Sequence, residues 1–235
     1  MMRRQEALRF MGGMWVFPGG RVDPPDCGPA AAALVAAESA AHAPVMCAPD
    51  GTPLGPELVL GLRVAACRET YEEAGVLLVR RRDGRPPAGA ELHALASAQH
   101  GVTHAPVGFL DLVASGGLLL DVDRLVHWSH WITPSHEPRR FDTHFFVAAL
   151  PEGQRTRDVS TETDHVEWLA PAEVLSREAA GEIRLLPPTR VTLAGIAACA
   201  DIPAVFAAAA ERDSGTPVKP RIEALPDGRL RLVTD

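Results

Sequence analysis

The chain of 235 residues predicts an α/β (α+β) fold in which helices cover a β-sheet, and three observations carry that expectation. A helix-compatible run from near Glu57 to Ala74 meets Gly75, which suits the left-handed conformation that stops a helix, and the apolar VLLV after it reads as a buried strand. Strand candidates follow at 126–132, 141–149 and 163–169, separated by turn-forming Pro, Gly and Glu residues. Helices at 171–180 and after Pro188 are placed to cover them.

Taken in order, the opening MMRRQ reads as the end of a strand whose first part would precede Met1, which implies a truncated or misassigned start. A loop through Gly12 and Gly13 leads to a short strand, MWVF, that ends at FPGG. From Pro24 to about Pro56 the chain is rich in Ala, Pro and Gly, with one short helix expected across Ala30 to Ala41, and reads as an insertion. Residues 80–125 begin with the polar loop RRRDGRPPAG and continue as helical segments around Leu92 to Ala98 and Phe109 to Ala114. In TLAGIAACADIPAVFAAAA, Asp201 and Pro203 break the apolar run, which predicts two buried helical pieces and no membrane span. The closing RIEALPDGRLRLV predicts a terminal hairpin about its PDG turn. The expected organisation is one domain over 1–235, with 27–60 inserted and 181–235 forming a helical extension and hairpin.

Composition narrows the function classes. With 46% hydrophobic and 23% charged residues the chain is of ordinary globular type. A formal net charge of -7 argues against nucleic-acid backbone binding, which needs a basic surface to displace counterions. Lys219 is the one lysine, so positive charge is carried by arginine, the side chain suited to bidentate phosphate contacts. Cys27, Cys47, Cys67 and Cys199 have no compact metal-ligand spacing and read as reduced thiols. Arg3, Arg4, Glu6 and Arg9 interrupt the start before any apolar run develops, so no signal peptide and a cytoplasmic location are expected.

The chemistry concentrates in RETYEEAG at 68–75. At about 100° per residue, Glu69, Glu72 and Glu73 share one helical arc of about 100°. Their repulsion costs only roughly 0.2–0.5 kcal/mol per i,i+4 like pair, so a solvated charged face is one reading. The other is an arc of oxygen ligands for a hard divalent cation that keeps positions open for phosphate and water. FPGG favours the second, because two glycines after a strand let backbone approach a metal or phosphate closely.

Gly20, Asp26, Arg68, Glu69, Thr70, Glu72, Glu73, Gly75 and Val76 together resemble the Nudix hydrolase signature G-x5-E-x7-R-E-U-x-E-E-x-G-U, where U is aliphatic. Asp26 stands where that signature has Glu, and Thr70 where an aliphatic residue is usual. Residues 27–67 separate Asp26 from Arg68, a gap of 41 where the signature has seven, so an insertion splits the motif. Loop closure penalties grow only logarithmically, and the split is tolerable if Gly20 and Glu69 still meet. A branch resembling the mammalian peroxisomal coenzyme A diphosphatase carries an insertion at this point. Further similarity to it covers Trp131, Thr133 and Pro134, the RRFDT run at 139–143, the WLAP at 168–171, and Arg9 and Gly13 upstream of FPGG. Arg9, Gly13 and Phe17 to Gly20 fit the R-x3-G-x3-FPGG half of a motif associated with coenzyme A recognition in Nudix enzymes, whose earlier half, LLTxT, is absent.

The resemblance implies a Nudix fold, with a mixed β-sheet sandwiched between helices and an inserted cap, and hydrolysis of a nucleoside-linked diphosphate. Mg²⁺ or Mn²⁺ would be held by Glu69, Glu72 and Glu73 with the Gly20 carbonyl, Arg68 would orient Glu72, and Glu69 is the first candidate to polarise water. Asp26 is expected to orient the turn, reach a second metal or cap a helix, and Glu162 to be an accessory acid or a solvated one. Arg9, Arg139 and Arg140 are candidates for the remaining phosphates, against a surface role. The implied partner is a small nucleotide of the coenzyme A type, with a homodimer admitted and neither nucleic acid nor membrane. The alternatives are a pyrophosphatase acting on ADP-ribose, dinucleotides or other nucleoside diphosphates, and a nucleotide-sensing module without turnover. The nine histidines lack companion cysteines and tight spacing and read as structural or solvated. Trp15, Trp128, Trp131 and Trp168 read as core.

Overall fold

The computed structural model describes residues 1–7, 11–41, 43–92, 95, 108–135, 137–156, 163–213, 215–224 and 230–233. Strand β1 (Met2–Arg4) is central in a three-stranded antiparallel sheet, between β2 (Trp15–Val16) and β7 (Thr163–Val166). Strand β3 (Val79–Arg81) pairs antiparallel with β4 (Leu118–Leu120). Strand β5 (Val126–Ile132) pairs antiparallel with β6 (Asp142–Val147) and parallel with β8 (Pro217–Val218), so the strand pairing is mixed. Strands β9 (Arg221–Ala224) and β10 (Leu230–Val233) form the expected terminal hairpin, whose PDG turn lies outside the described residues.

Two apolar clusters hold helices against these strands. The larger joins helix α3 (Pro56–Ala74), through Val64, Cys67 and Tyr71, to residues 76–79, β4 and the helix Phe109–Ser115. The smaller packs Trp15 of β2 against Val174, Ile183 and Leu193 around the helices Pro171–Ala179 and Pro187–Ala197. Helix α3 ends as its sequence predicts, with Gly75 at φ 69° and its N–H on the Tyr71 carbonyl at 2.8 Å.

Several elements depart from the sequence reading, each for a tertiary reason. The helix expected across residues 30–41 is two short ones, α1 (Pro29–Ala33) and α2 (Ala37–Ala41). Leu34 and Val35 are buried between them, where the Leu34 carbonyl accepts the Leu120 N–H at 2.7 Å, so pairing with β4 breaks the helix. Of VLLV only Val79 enters a ladder; Leu77 instead exchanges both backbone bonds with the Gln154 amide, at 2.8 and 2.7 Å. Strands β4 and β8 were not anticipated, because the fully buried LLL shows no alternation and β8 is two residues long. Trp168 is exposed, since β7 ends at Val166, and its Nε1–H donates to Thr156 Oγ1 at 2.9 Å. The apolar run at 192–210 is divided as expected between Pro187–Ala197 and Ile202–Glu211, bent by 117°, yet much of the second helix is half-exposed. Among the described residues no single helix is long and apolar enough to cross a membrane. The segment around Leu92 to Ala98 lies mostly outside the described residues.

The inserted segment is tied to α3 at two points. A Cβ on Gly61 would lie 2.2 Å from Cys27 Sγ, so only glycine lets the 3-10 turn Pro24–Cys27 rest on the helix there. Two residues on, buried Arg63 donates to the Ser39 carbonyl of α2 and the Val122 carbonyl, both at 3.0 Å, and to Asp123 Oδ1 at 2.9 Å. Replacing Arg63 with Ala strands these buried carbonyls and should lower unfolding stability by about 2–4 kcal/mol in a urea titration. A loss below about 0.5 kcal/mol would mean that the insertion is not held by this residue.

Candidate active site

The two halves of the split motif converge on one face of α3. Strand β2 is fixed by Met2 and Arg3 on one side and by the Trp15 N–H on the Arg184 carbonyl at 3.0 Å. Phe17 then packs edge-on to Phe145 of β6, with ring centroids 6.3 Å apart. These anchors aim the diglycine at the helix. The Gly19 N–H donates to Glu73 Oε2 at 2.7 Å. A Cβ on Gly20 would stand 2.3 Å from Glu69 Oε1, so the backbone here leaves a cradle that the Glu69 carboxylate fills and any side chain would close.

Arg68 organises the remainder. Its side chain is 12% exposed and faces Asp26, which is 1% exposed, in a two-pronged pair: Nε to Oδ1 at 3.1 Å and Nη2 to Oδ2 at 3.0 Å. Nη2 also donates to the Arg21 carbonyl at 2.8 Å, and Asp23 lies 3.6 Å away. Nη1 donates to Glu69 Oε1 at 2.8 Å and to Glu72 Oε2 at 2.9 Å. The guanidinium therefore orients both glutamates by one oxygen each, and the second oxygen of each lies outside the Arg68 contact. Asp26 also accepts the Asp23 N–H at 2.8 Å, which combines the capping and turn-orienting roles expected of it. Thr70, placed where an aliphatic residue is usual, returns its hydroxyl to the Ala66 carbonyl at 2.7 Å and so needs no outside partner.

Burial holds the Glu69 carboxyl above its ordinary 4.5; Arg68 opposes that effect, and Glu72 and Asp23 add to it. Added positive charge beside Glu69 would relieve this. Carboxylates on one helical arc are the donor type a hard divalent cation takes, but the ligand atoms of Glu69, Glu72 and Glu73 do not all lie within 4.8 Å of one another, so these side chains would have to draw together around an ion.

The other candidates are less gathered. Arg139 and Arg140 are exposed in the turn between β5 and β6, where Arg140 Nε donates to the Thr133 carbonyl at 3.3 Å. Arg140 also lines a cavity of about 870 Å³ with Asp50, Lys219 and Arg221. Arg9 and Glu162 lie outside the described residues. The contributions of Arg21 and Phe145 were missed: the first acts through its backbone carbonyl, which carries no side-chain signature, and the second is distant in sequence.

With this geometry established, three comparisons converge. The model of the NUDT19 Nudix domain matches residues 1–195. The chain belongs to the NUDT19 Nudix domain family. An acyl-coenzyme A diphosphatase NUDT19 of Gallus gallus is 33% identical, over 80% of this chain and 57% of that protein. The Homo sapiens protein of the same name is 38% identical over 59% of this chain and 39% of its own length. The chain thus spans about half the length of the curated relatives it matches, or less. A crystal structure of a Nudix hydrolase from Alicyclobacillus acidocaldarius superposes with a TM-score of 0.62 at 29% identity, covering 88% of this chain and 86% of that one. The Nudix fold is therefore established by sequence and by shape together, and the α3 turn is its Nudix helix.

Because the Nudix Glu69 binds its proton more tightly folded than unfolded, it costs stability as pH rises through the interval above 4.5. An NMR titration of the ion-free protein should place its midpoint above 4.5, and Arg68→Gln should move it higher; a midpoint at or below 4.5 would refute the burial argument. Gly20→Ala should reduce turnover by roughly 100-fold through displacement of Glu69 while moving the melting temperature little. Wild-type turnover in that variant would show that the cradle has slack.

Proposed function

We propose that the chain hydrolyses the diphosphate of coenzyme A or an acyl-coenzyme A, giving 3',5'-ADP and (acyl-)phosphopantetheine. The observation that carries this reading is the closure of FPGG onto Glu69 and Glu73 across the long interruption of the motif. The names of the avian and human relatives, both acyl-coenzyme A diphosphatases, support the substrate class.

Glu69, Glu72 and Glu73, with the Gly20 carbonyl, would hold Mg²⁺ or Mn²⁺, which when bound neutralises phosphate oxygens and makes water more acidic. The chain's own groups do the positioning. Arg68 keeps Glu69 and Glu72 side by side, and the Gly19 N–H holds Glu73. Glu69, recessed against the diglycine, is placed to accept the proton of the water that attacks phosphorus. Negative charge passes to the leaving phosphate oxygen as the bridging P–O bond breaks. Arg139 and Arg140 are suited to a further phosphate by forked contacts at the solvent edge.

The test is a purified-protein assay with Mg²⁺ or Mn²⁺ against coenzyme A, an acyl-coenzyme A, ADP-ribose and NADH, with products resolved by mass. Coenzyme A or its acyl ester should have the highest kcat/KM and release 3',5'-ADP. ADP-ribose leading by a large factor would transfer the assignment to a general nucleoside diphosphate pyrophosphatase, and no turnover of any of the four would indicate a nucleotide sensor. Glu72→Gln should lower kcat at least 100-fold with unchanged melting, as expected for a group that acts in the reaction and not in the fold.

A further inference from the structure

We propose a second metal centre, of the zinc class, formed by His130 of β5 with Asp142 and His144 of β6. The strand register creates it. His130 lies directly opposite His144, and Asp142, two residues from His144, projects on the same face of the sheet. One ligand atom from each of the three falls within 4.8 Å of the others, and among the described residues no other group of His, Cys, Asp or Glu meets that condition.

The chemistry is that of a borderline cation and not of Mg²⁺: two imidazole nitrogens and one carboxylate oxygen. His130 Nε2 stands 2.5 Å and His144 Nε2 3.9 Å from the same Asp142 Oδ1. Around a tetrahedral ion with metal–ligand distances of about 2.0–2.2 Å, donors stand about 3.3–3.6 Å apart, between those two separations. The His130 and His144 side chains are 0% and 4% exposed, whereas Asp142 is 45% exposed and free to swing between them as an ion enters.

The contact of His144 with His127 fits a ligand role. His144 Nδ1 lies 3.0 Å from His127 Nε2, so when His144 coordinates through Nε2 its Nδ1–H has an acceptor that fixes tautomer and ring orientation. The rings of His130 and His144 stack at 4.0 Å with planes 14° apart, so one imidazole must turn for both Nε2 lone pairs to meet a single ion. The centre would fasten β5 to β6 beside the cavity that Ile132, Thr133 and Arg140 line.

The test is Zn²⁺ titration of the full chain by calorimetry in saturating Mg²⁺, which occupies the glutamate site, with Co²⁺ as an absorbing substitute. One equivalent should bind, Co²⁺ should give tetrahedral visible bands, and Asp142→Asn should weaken binding at least 10-fold. Glu72→Gln should leave the Zn²⁺ stoichiometry unchanged. Absence of Zn²⁺ uptake over Mg²⁺, uptake indifferent to Asp142→Asn, or uptake lost with Glu72→Gln would each overturn the proposal. Should Asp142→Asn fail to fold, histidine ¹⁵N spectra of the unaltered chain decide: Zn²⁺ must shift the ring nitrogens of His130 and His144, and unmoved signals refute the site.

Discussion

The guanidinium of Arg68 is the constraint on which the acidic face of α3 depends. Its five N–H donors are divided between Asp26 and the Arg21 carbonyl on one side and Glu69 and Glu72 on the other. Together these contacts join the loop after β2 to the acidic turn by several charge-assisted bonds. Asp26 is almost wholly buried, so its charge is tolerable only while Arg68 faces it, and Arg68 is held in place by that same need. Lysine would not serve, since a point charge cannot satisfy Asp26 through two prongs and still reach both glutamates. The pair converts a split sequence motif into a single rigid object, with the arginine as its hinge pin.

That dependence explains how an interruption of 41 residues is compatible with an intact site. The interrupting segment is not a free loop. It begins in the 3-10 turn that carries Asp26, packs on α3 where Gly61 permits contact, adds Ala31 of α1 with Leu34 and Val35 to the main apolar cluster, and is clamped at α2 by Arg63. Each of these contacts shortens the effective loop that must be closed. Energetically the segment is part of the fold, so the cost of bringing Asp26 to Arg68 is met by ordinary core burial along the way. The same organisation places the segment around Pro49 and Asp50 beside Arg140, Lys219 and Arg221, at the cavity on the far end of β5.

A two-strand ribbon can gather a metal-type donor set that linear spacing conceals. His127 and His130 lie on β5 and Asp142 and His144 on β6, and the antiparallel register alone brings them together. Histidines separated by a turn of variable length look solvated in a sequence because their partners are set by pairing and not by count. The glutamate arc is the opposite case: helix geometry is local, so its convergence is legible from spacing alone.

The sequence by itself determined the acidic helix, its glycine stop and the shared arc of Glu69, Glu72 and Glu73, because a 3.6-residue period and a left-handed cap are properties of neighbouring residues. It also carried the division of the apolar run at Asp201, which caps Ile202–Glu211 through the Ala204 N–H at 2.8 Å, and the terminal hairpin. Only the tertiary structure decided that FPGG lands on Glu69 and Glu73, that Asp26 serves Arg68, that Leu34 breaks the inserted helix by bonding to β4, and that Gln154 stands in for a strand beside Leu77. Each of those joins residues far apart along the chain. Their partners are chosen by burial and by the demand of buried polar groups for satisfaction, which no local pattern encodes.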